Sequence, residues 1–216
     1  EKDLSFSYKE VEPKSEKEDC SPTKSFSKST QEFFDEYFKD EPQLTNLHIE
    51  ITSKCNERCV HCYIPHEYKT KSIDPALFYR TVEDGRDMNI INVTLSGGEP
   101  LLHKDIIGFL KRCRELDLSV NVLTNLTLLT DTIIEEMKKN PLLCVQTSIY
   151  SMDASIHDSI TKVKGSFEKT KSNLLKLKGA GIPLQISCPV MKQNKDTFNS
   201  VIAFGEENGI SVAVDY

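Results

Sequence analysis

Three cysteines lie close together in one short segment of the chain. Cys55, Cys59 and Cys62 are spaced C-x3-C-x2-C, and thiolates grouped in this way bind zinc or an iron–sulfur centre. Structural zinc takes four protein ligands. His61 or His66 would have to be the fourth, and His61 adjoins Cys62, which makes joint ligation awkward. Three thiolates on a [4Fe-4S] cluster leave one iron open to an exogenous ligand. The spacing favours this cluster, while zinc and a metal-free loop stay open.

A second polar segment, Ser96-Gly97-Gly98-Glu99-Pro100, follows the next predicted strand. Gly97 lies 35 residues after Cys62. Glycine has no Cβ, so the backbone can approach a ligand closely at this point. We expect Glu99 to present its carboxylate at the same mouth, where it would suit an ammonium group. Alone, the string also fits a turn with a solvated glutamate, but the cysteine loop one strand earlier favours a ligand site.

Strand and helix patterns alternate over the part of the chain that carries these segments. The predicted strands cover residues 47–51, 90–95, 118–123, 142–149, 183–190 and 210–214, and the helices cover 74–88, 104–115, 130–138, 166–178 and 196–207. Such alternation predicts an α/β fold with a parallel sheet and right-handed crossovers, either an open doubly wound sheet or a partial TIM-like barrel. In both architectures ligands gather at the carboxyl ends of the strands. The cysteine loop and the Gly-Gly-Glu segment both follow such ends.

The segment before the first of these strands has a different composition. Residues 1–45 are rich in Lys, Glu and Ser without a sustained period, and we expect a flexible tail or the remnant of an upstream domain. The remaining residues, 46–216, form the predicted core. A short amphipathic helix is predicted at 31–38, and its apolar side chains are Phe33, Phe34, Tyr37 and Phe38.

Composition excludes several classes of protein. The net charge of −6 provides no basic surface for nucleic acid or an anionic membrane. No apolar run approaches the roughly 18–20 residues of a membrane span, and the polar N-terminus is unlike a secretory signal. Seven cysteines, an odd number, argue against a disulfide framework. We therefore expect a cytoplasmic protein, in which Cys113, Cys144 and Cys188 are small buried hydrophobic residues.

The two segments together resemble motifs of the radical SAM superfamily. Cys55-Asn-Glu-Arg-Cys59-Val-His-Cys62-Tyr63 is similar to its cluster loop and Ser96–Pro100 to its methionine-binding turn, and the likeness extends over residues 46–216. The resemblance implies a partial (β/α)6 barrel in which S-adenosylmethionine chelates the open iron through its amino and carboxylate groups. Reduction would cleave the sulfonium to a 5′-deoxyadenosyl radical, which abstracts hydrogen from a substrate. The protein positions this chemistry and excludes water.

The resemblance also implies roles for individual residues. It makes the three cysteines of the loop the cluster ligands and puts His61 near adenine. Glu99, with the backbone of Gly97 and Gly98, matches the site for the methionine ammonium group. No further catalytic acid or base is assigned.

Two cofactor contacts are implied less directly. Ser148, at the end of the fourth predicted strand, resembles a serine that contacts polar groups of the cofactor, or it bonds the backbone at the strand end. Lys169 lies where relatives carry a basic residue facing the methionine carboxylate, or it is a solvated helix charge. His157 and Asp158 form either an acid–base pair or, as we prefer, an anchor for the loop before the next helix.

The stretch from Ser148 to Phe167 resembles the branch of radical SAM enzymes that modify peptides and proteins and usually carry a SPASM or twitch extension. This implies a maturase of ribosomal peptides, with a peptide or protein substrate and an electron donor such as flavodoxin or ferredoxin. Because the sequence stops just after the sixth strand, we expect an incomplete enzyme. Alternatives are an anaerobic sulfatase-maturase-like enzyme, an enzyme for small molecules, and a non-catalytic iron–sulfur or zinc module.

Overall fold

The computed structural model describes residues 5–9, 25–29, 32, 35–36, 39, 44–140 and 143–215. The chain separates into two compact units, Glu1–Gln43 and Leu44–Tyr216, whereas the sequence predicts a boundary between residues 45 and 46. In the described part of the chain, no helix has the length and apolar character that a membrane crossing requires.

The first unit contains a pair of strands that the sequence analysis did not predict. Strand β1 (Ser5–Lys9) pairs antiparallel with β2 (Ser25–Ser29), and Ser7 lies opposite Ser27. Both strands have the alternating pattern Ser-Phe-Ser, which is a short period-two signal. Of the predicted helix at 31–38, Glu32, Asp35 and Glu36 are helical. Its four aromatic residues, Phe33, Phe34, Tyr37 and Phe38, lie outside the described residues.

The second unit is built on one parallel sheet. Its strands are β3 (Asn46–Thr52), β4 (Asn92–Gly97), β5 (Ser119–Leu123), β6 (Leu143–Ser148), β7 (Leu184–Pro189) and β8 (Ser211–Asp215). The spatial order of the six is their order in the chain. Every crossover therefore steps in the same direction, as in a barrel and unlike a doubly wound sheet, where the order reverses. This confirms the partial (β/α)6 barrel.

Six helices connect these strands. They are α1 (Pro75–Asp87), α2 (Ile106–Glu115), α3 (Asp131–Lys138), α4 (Ala154–Thr161), α5 (Ser166–Gly179) and α6 (Asn199–Asn208). The sequence predicts all of them except α4, which lies where a loop around His157 was expected. Helix α4 is short, but its N-cap is clear, because the carboxylate of Asp153 accepts a 2.8 Å hydrogen bond from the N–H of Ser155.

The two faces of the sheet differ in polarity. Val93, Leu95, Val120, Val122 and Val145 are fully buried in the hydrophobic core, to which the helices contribute side chains. The alternate positions carry polar side chains that bond to one another across strands. The amide of Asn92 donates to the hydroxyl of Ser119 at 2.8 Å, and the amide of Asn121 donates to Asn92 at 3.4 Å. Because side chains alternate along a strand, one sheet carries both surfaces.

The ends of β3 and β4 are joined through the Gly-Gly-Glu segment. The N–H of Gly98 donates to the carbonyl of Thr52 at 2.7 Å, and that of Glu99 donates to the carbonyl of Lys54 at 2.8 Å. A Cβ on Gly97, where φ is +128°, would lie 2.1 Å from the Thr52 oxygen. A Cβ on Gly98 would lie 2.3 Å from the Lys54 oxygen. The glycines thus allow two backbones to meet, and the close approach to a ligand expected from the sequence is here an approach to the cysteine loop.

Replacing Gly98 with alanine should therefore destabilise the second unit. The added methyl would meet the backbone of Lys54, so we expect a loss of about 1–3 kcal/mol in the free energy of unfolding. Denaturant unfolding of the metal-free protein measures it. Gly179→Ala is the control, because a Cβ there has open space, and alanine at the end of α5 should leave stability unchanged or raise it. Equal effects of the two substitutions would contradict this account of the junction.

Candidate functional site

A cavity of about 350 Å³ lies at the carboxyl ends of the strands. It is bounded by the cysteine loop on one side and by the ends of β4 to β7 on the other. Seven of the nine residues predicted for the site line it, namely Cys55, Cys59, His61, Cys62, Gly97, Gly98 and Ser148. The strand ends therefore bring the separate sequence segments to one mouth, as the parallel sheet predicts.

The cysteine loop is held against helix α4. The N–H of Arg58 donates to the carbonyl of Thr161, and that of Val60 donates to the carbonyl of Ile160, both at 2.9 Å. These carbonyls belong to the last turn of α4, which has no intrahelical donor for them. The helix that the sequence does not predict is thus the support of the loop.

The three cysteines are free thiols, each partly exposed to solvent. Burial raises the pKa of Cys55, and burial followed by the charge of Glu57 raises the pKa of Cys59 to about 12. Thiols bind metal as thiolates, so binding must release these protons. Among the described residues, no three His, Cys, Asp or Glu side chains are arranged to hold a single metal ion. The donor set of three neighbouring thiols fits an iron–sulfur cluster, which is held by cysteine thiolates.

Glu99 does not lie where the sequence predicts. Its side chain is fully buried and does not line the cavity. One carboxylate oxygen accepts hydrogen bonds from the N–H of Leu101 at 2.9 Å and the hydroxyl of Thr124 at 2.6 Å, and the other accepts from the N–H of Asn125 at 2.7 Å. Burial raises the pKa of Glu99, while these three donors oppose the shift. The expectation of a carboxylate exposed at the mouth is wrong, because protein donors already occupy it.

Lys169 is also not at the cavity. It is an exposed residue of α5 and does not line the cavity. The next residue, Thr170, lines it instead and donates to the carbonyl of Asn125 at 2.8 Å. Successive residues of an α-helix are rotated by about 100°, so a neighbour can face solvent when one residue faces the sheet. The alternative of a solvated helix charge describes Lys169.

His61 and Ser148 lie at the cavity as predicted. The ring of His61 meets that of Tyr150 edge to face, with centroids 5.3 Å apart, and its Nε2 lies 3.3 Å from the Tyr150 hydroxyl. Partial burial lowers the pKa of His61, which favours the neutral ring beside a ligand. Ser148 ends β6, opposite Ser187 of β7, and both line the cavity. Contact of either residue with a cofactor stays a prediction.

His157 and Asp158 have separate tasks. Asp158 accepts hydrogen bonds from the N–H of Gly165 at 2.6 Å, the N–H of Phe167 at 2.9 Å and the hydroxyl of Ser166 at 2.9 Å. It therefore anchors the start of α5, which agrees with the preferred interpretation. The ring of His157 is 1% exposed and accepts from the N–H of Tyr150 at 3.4 Å.

Two charged residues at the cavity are absent from the predicted set. Glu57 lies within the cysteine motif and is only 4% exposed. Burial raises its pKa to about 7, and its Oε2 accepts from the thiol of Cys59 at 3.5 Å. The ammonium group of Lys69 lies 3.3 Å from the main-chain oxygen of Glu57. The sequence signal for Glu57 was its position between two cysteines, and Lys69 had none.

Comparisons with known proteins place the barrel in a family. The model of the radical SAM superfamily matches residues 49–205, which is well over half of the chain. An AdoMet-dependent heme synthase of Methanosarcina barkeri is 30% identical over 166 residues, which are 74% of this chain and 46% of that protein. A PqqA peptide cyclase of Methylocella silvestris is 25% identical over 158 residues, which are 72% of this chain and 42% of the cyclase.

A solved structure has the same fold. The crystal structure of Streptococcus suis SuiB bound to the precursor peptide SuiA superimposes with a TM-score of 0.73 at 20% identity, and it covers 85% of this chain and 42% of SuiB. The chain thus spans less than half the length of the curated relatives described above.

Glu99→Gln tests the buried bracket. A glutamine has one acceptor oxygen, so its NH2 group must face either Asn125 or the Leu101 and Thr124 donors. We expect a loss of about 1–3 kcal/mol in the free energy of unfolding of the metal-free protein, the cost of an unsatisfied buried donor. Glu67→Gln is the control, because Glu67 is exposed on the cysteine loop. Unchanged stability in both variants would mean that the Glu99 bonds contribute nothing to the fold.

His157 should make the protein sensitive to mild acid. Burial lowers its pKa from 6.5 to about 4, so between these values the unfolded chain binds a proton that the folded protein does not. Stability must therefore fall as the pH falls through this window, by up to about 3 kcal/mol at 1.36 kcal/mol per pH unit. His157→Gln keeps an acceptor for Tyr150 and removes this dependence. Urea unfolding from pH 7 to 4 measures it, with exposed His66→Gln as control, and parallel curves for wild type and His157→Gln would refute it.

Proposed function

The chain belongs to the radical SAM superfamily, and from this we propose that residues 44–216 are the catalytic core of an enzyme that removes a hydrogen atom from a peptide or protein side chain. The observation that carries the proposal is the set of three neighbouring thiols, Cys55, Cys59 and Cys62, on the wall of a cavity at the barrel mouth. The family uses a [4Fe-4S] cluster and S-adenosylmethionine. We assign the three thiols to the cluster.

When bound, these groups supply a 5′-deoxyadenosyl radical by reductive cleavage of the sulfonium. The chain's own residues hold and shield the reacting groups. The loop from Cys55 to Cys62 is fixed to α4 by two backbone hydrogen bonds, which keeps the thiols in place. His61 and Tyr150 offer ring faces beside the cysteines, where an adenine would pack, and Ser148 offers a hydroxyl at the end of β6. The polar inner positions of β4 and β5 are suited to a substrate with hydrogen-bonding groups.

A peptide substrate is supported by two of the relatives. One is named a PqqA peptide cyclase, and the other, SuiB, was crystallised with a precursor peptide. We propose a one-electron donor such as flavodoxin or ferredoxin as the second partner, and a cytoplasmic setting that keeps the thiols reduced. The heme synthase supports a second candidate, a small-molecule substrate. A non-catalytic iron–sulfur or zinc module is the third, and it would not bind S-adenosylmethionine.

The cluster assignment is tested on protein reconstituted anaerobically with iron and sulfide. We expect one [4Fe-4S] cluster in the wild type and none in the variant with Cys55, Cys59 and Cys62 all changed to serine, because serine offers no thiolate. Iron and sulfide analysis with EPR of the reduced protein measures this. Cys144→Ser is the control, since Cys144 lies on β6 outside the loop. Stoichiometric zinc in the wild type, or full iron content in the triple variant, would contradict the assignment.

The substrate class is tested with the same protein. Reduced protein is incubated with S-adenosylmethionine and either a candidate precursor peptide or a porphyrin-type small molecule, and 5′-deoxyadenosine is measured together with the modified product. Product formed in step with 5′-deoxyadenosine from the peptide alone supports the peptide maturase. Coupling to the small molecule alone favours the second candidate.

A further inference from the structure

Glu57 is a buried carboxylate with an unused acceptor. Its Oε1 has no solvent exposure and no hydrogen-bond partner, although the side chain is on the wall of the cavity. Buried polar atoms are nearly always paired, and an unpaired carboxylate oxygen is costly. Such an atom, directed into a cavity, indicates a missing donor. Among the residues that line the cavity in the described part of the chain, Glu57 is the only carboxylate.

Cluster binding would make this deficit larger. The other carboxylate oxygen of Glu57 accepts its hydrogen bond from the thiol of Cys59. A cysteine that binds a metal centre is deprotonated, so Cys59 would then have no proton to donate. Glu57 would be left with two oxygens that need donors, and a ligand in the cavity is the remaining source.

A cation lies on the same wall. Lys69 is the only lysine or arginine among the described residues that line the cavity. Its ammonium group lies 3.3 Å from the main-chain oxygen of Glu57, so the positive group is held beside the negative one rather than free in solvent. The cavity wall next to the three cysteines therefore carries one charge of each sign, which is the pattern that complements an α-amino acid.

We propose that Glu57 and Lys69 bind the amino acid end of S-adenosylmethionine, with Glu57 accepting from the α-amino group and Lys69 donating to the α-carboxylate. The inference rests on the proposed function and deepens it. It assigns to this pair the two contacts that the sequence predicted for Glu99 and Lys169. Glu99 is buried and used by three protein donors, and Lys169 is exposed away from the cavity.

The test compares two ligands that share adenosine and sulfur. S-Adenosylmethionine carries the amino acid end, and 5′-methylthioadenosine lacks it. Their affinities for the reconstituted protein are measured anaerobically by calorimetry, alongside iron content. The variants are Glu57→Gln and Lys69→Met, each of which removes one charge. Matched controls are Glu67→Gln and Lys71→Met, whose side chains are exposed on the same loop.

Each site variant should weaken S-adenosylmethionine binding by about 10- to 100-fold, as expected for loss of one charge-assisted hydrogen bond. Binding of 5′-methylthioadenosine and the iron content should stay as in the wild type, and both controls should behave as the wild type. Lys69→Arg, which retains the charge, should recover most of the affinity. This pattern supports the assignment.

Other outcomes overturn it in distinguishable ways. If the wild type loads a cluster but does not bind S-adenosylmethionine, the proposed function fails and the inference with it. If the wild type binds and both site variants bind equally well, the inference alone fails. Equal weakening of both ligands, or loss of iron, would show that the pair stabilises the cysteine loop through a mutual ion pair, which also overturns the assignment.

Discussion

The buried carboxylate of Glu99 holds together the edge of the sheet on which the site is built. It accepts from the backbone of Leu101 beyond β4 and from Thr124 and Asn125 beyond β5, while its own N–H donates to Lys54 at the start of the cysteine loop. A buried charge of this kind is tolerated only when its lone pairs are satisfied, and a satisfied network then specifies one arrangement. Three chain segments that are distant in sequence are therefore fixed relative to one another by one residue.

That constraint separates the roles of two glutamates that both lie near the cysteines. Glu99 is used up by the fold, because its three donors come from the protein itself. Glu57 has a similar depth of burial but one oxygen without a partner, so it keeps a capacity to bind. The difference arises from the surrounding backbone: strand ends supply free N–H groups to Glu99, whereas Glu57 lies in a loop whose own amides at Arg58 and Val60 are directed at α4.

The barrel accounts for the cofactor chemistry better than for the choice of substrate. Its outer face is an apolar core shared with the helices, and its inner positions are polar, so the sheet presents hydrogen-bonding groups to whatever enters the mouth. A shared fold does not specify a substrate. The relatives illustrate this, because a heme synthase and a peptide cyclase match the same part of the chain and each extends over more than twice that length.

The sequence by itself determined the order of elements, the parallel sheet and the segments that meet at its mouth. These depend on local signals: hydrophobic periods, an Asp-Pro helix start at residue 74, and the spacing of Cys55, Cys59 and Cys62. It did not distinguish a barrel from a doubly wound sheet, since strand order is a property of pairing between distant segments. It also missed α4, whose eight residues carry a weak period.

Only the tertiary structure decided which charged residues face the cavity. Glu99 was predicted at the mouth and is buried behind it, because its partners at Thr124 and Asn125 come from the next strand. Lys169 and Thr170 are neighbours in sequence, yet helix rotation exposes the first and turns the second to the cavity. Glu57 and Lys69 acquire their importance from burial and proximity. These properties arise from packing between segments far apart in the chain, so a local pattern of residue types does not contain them.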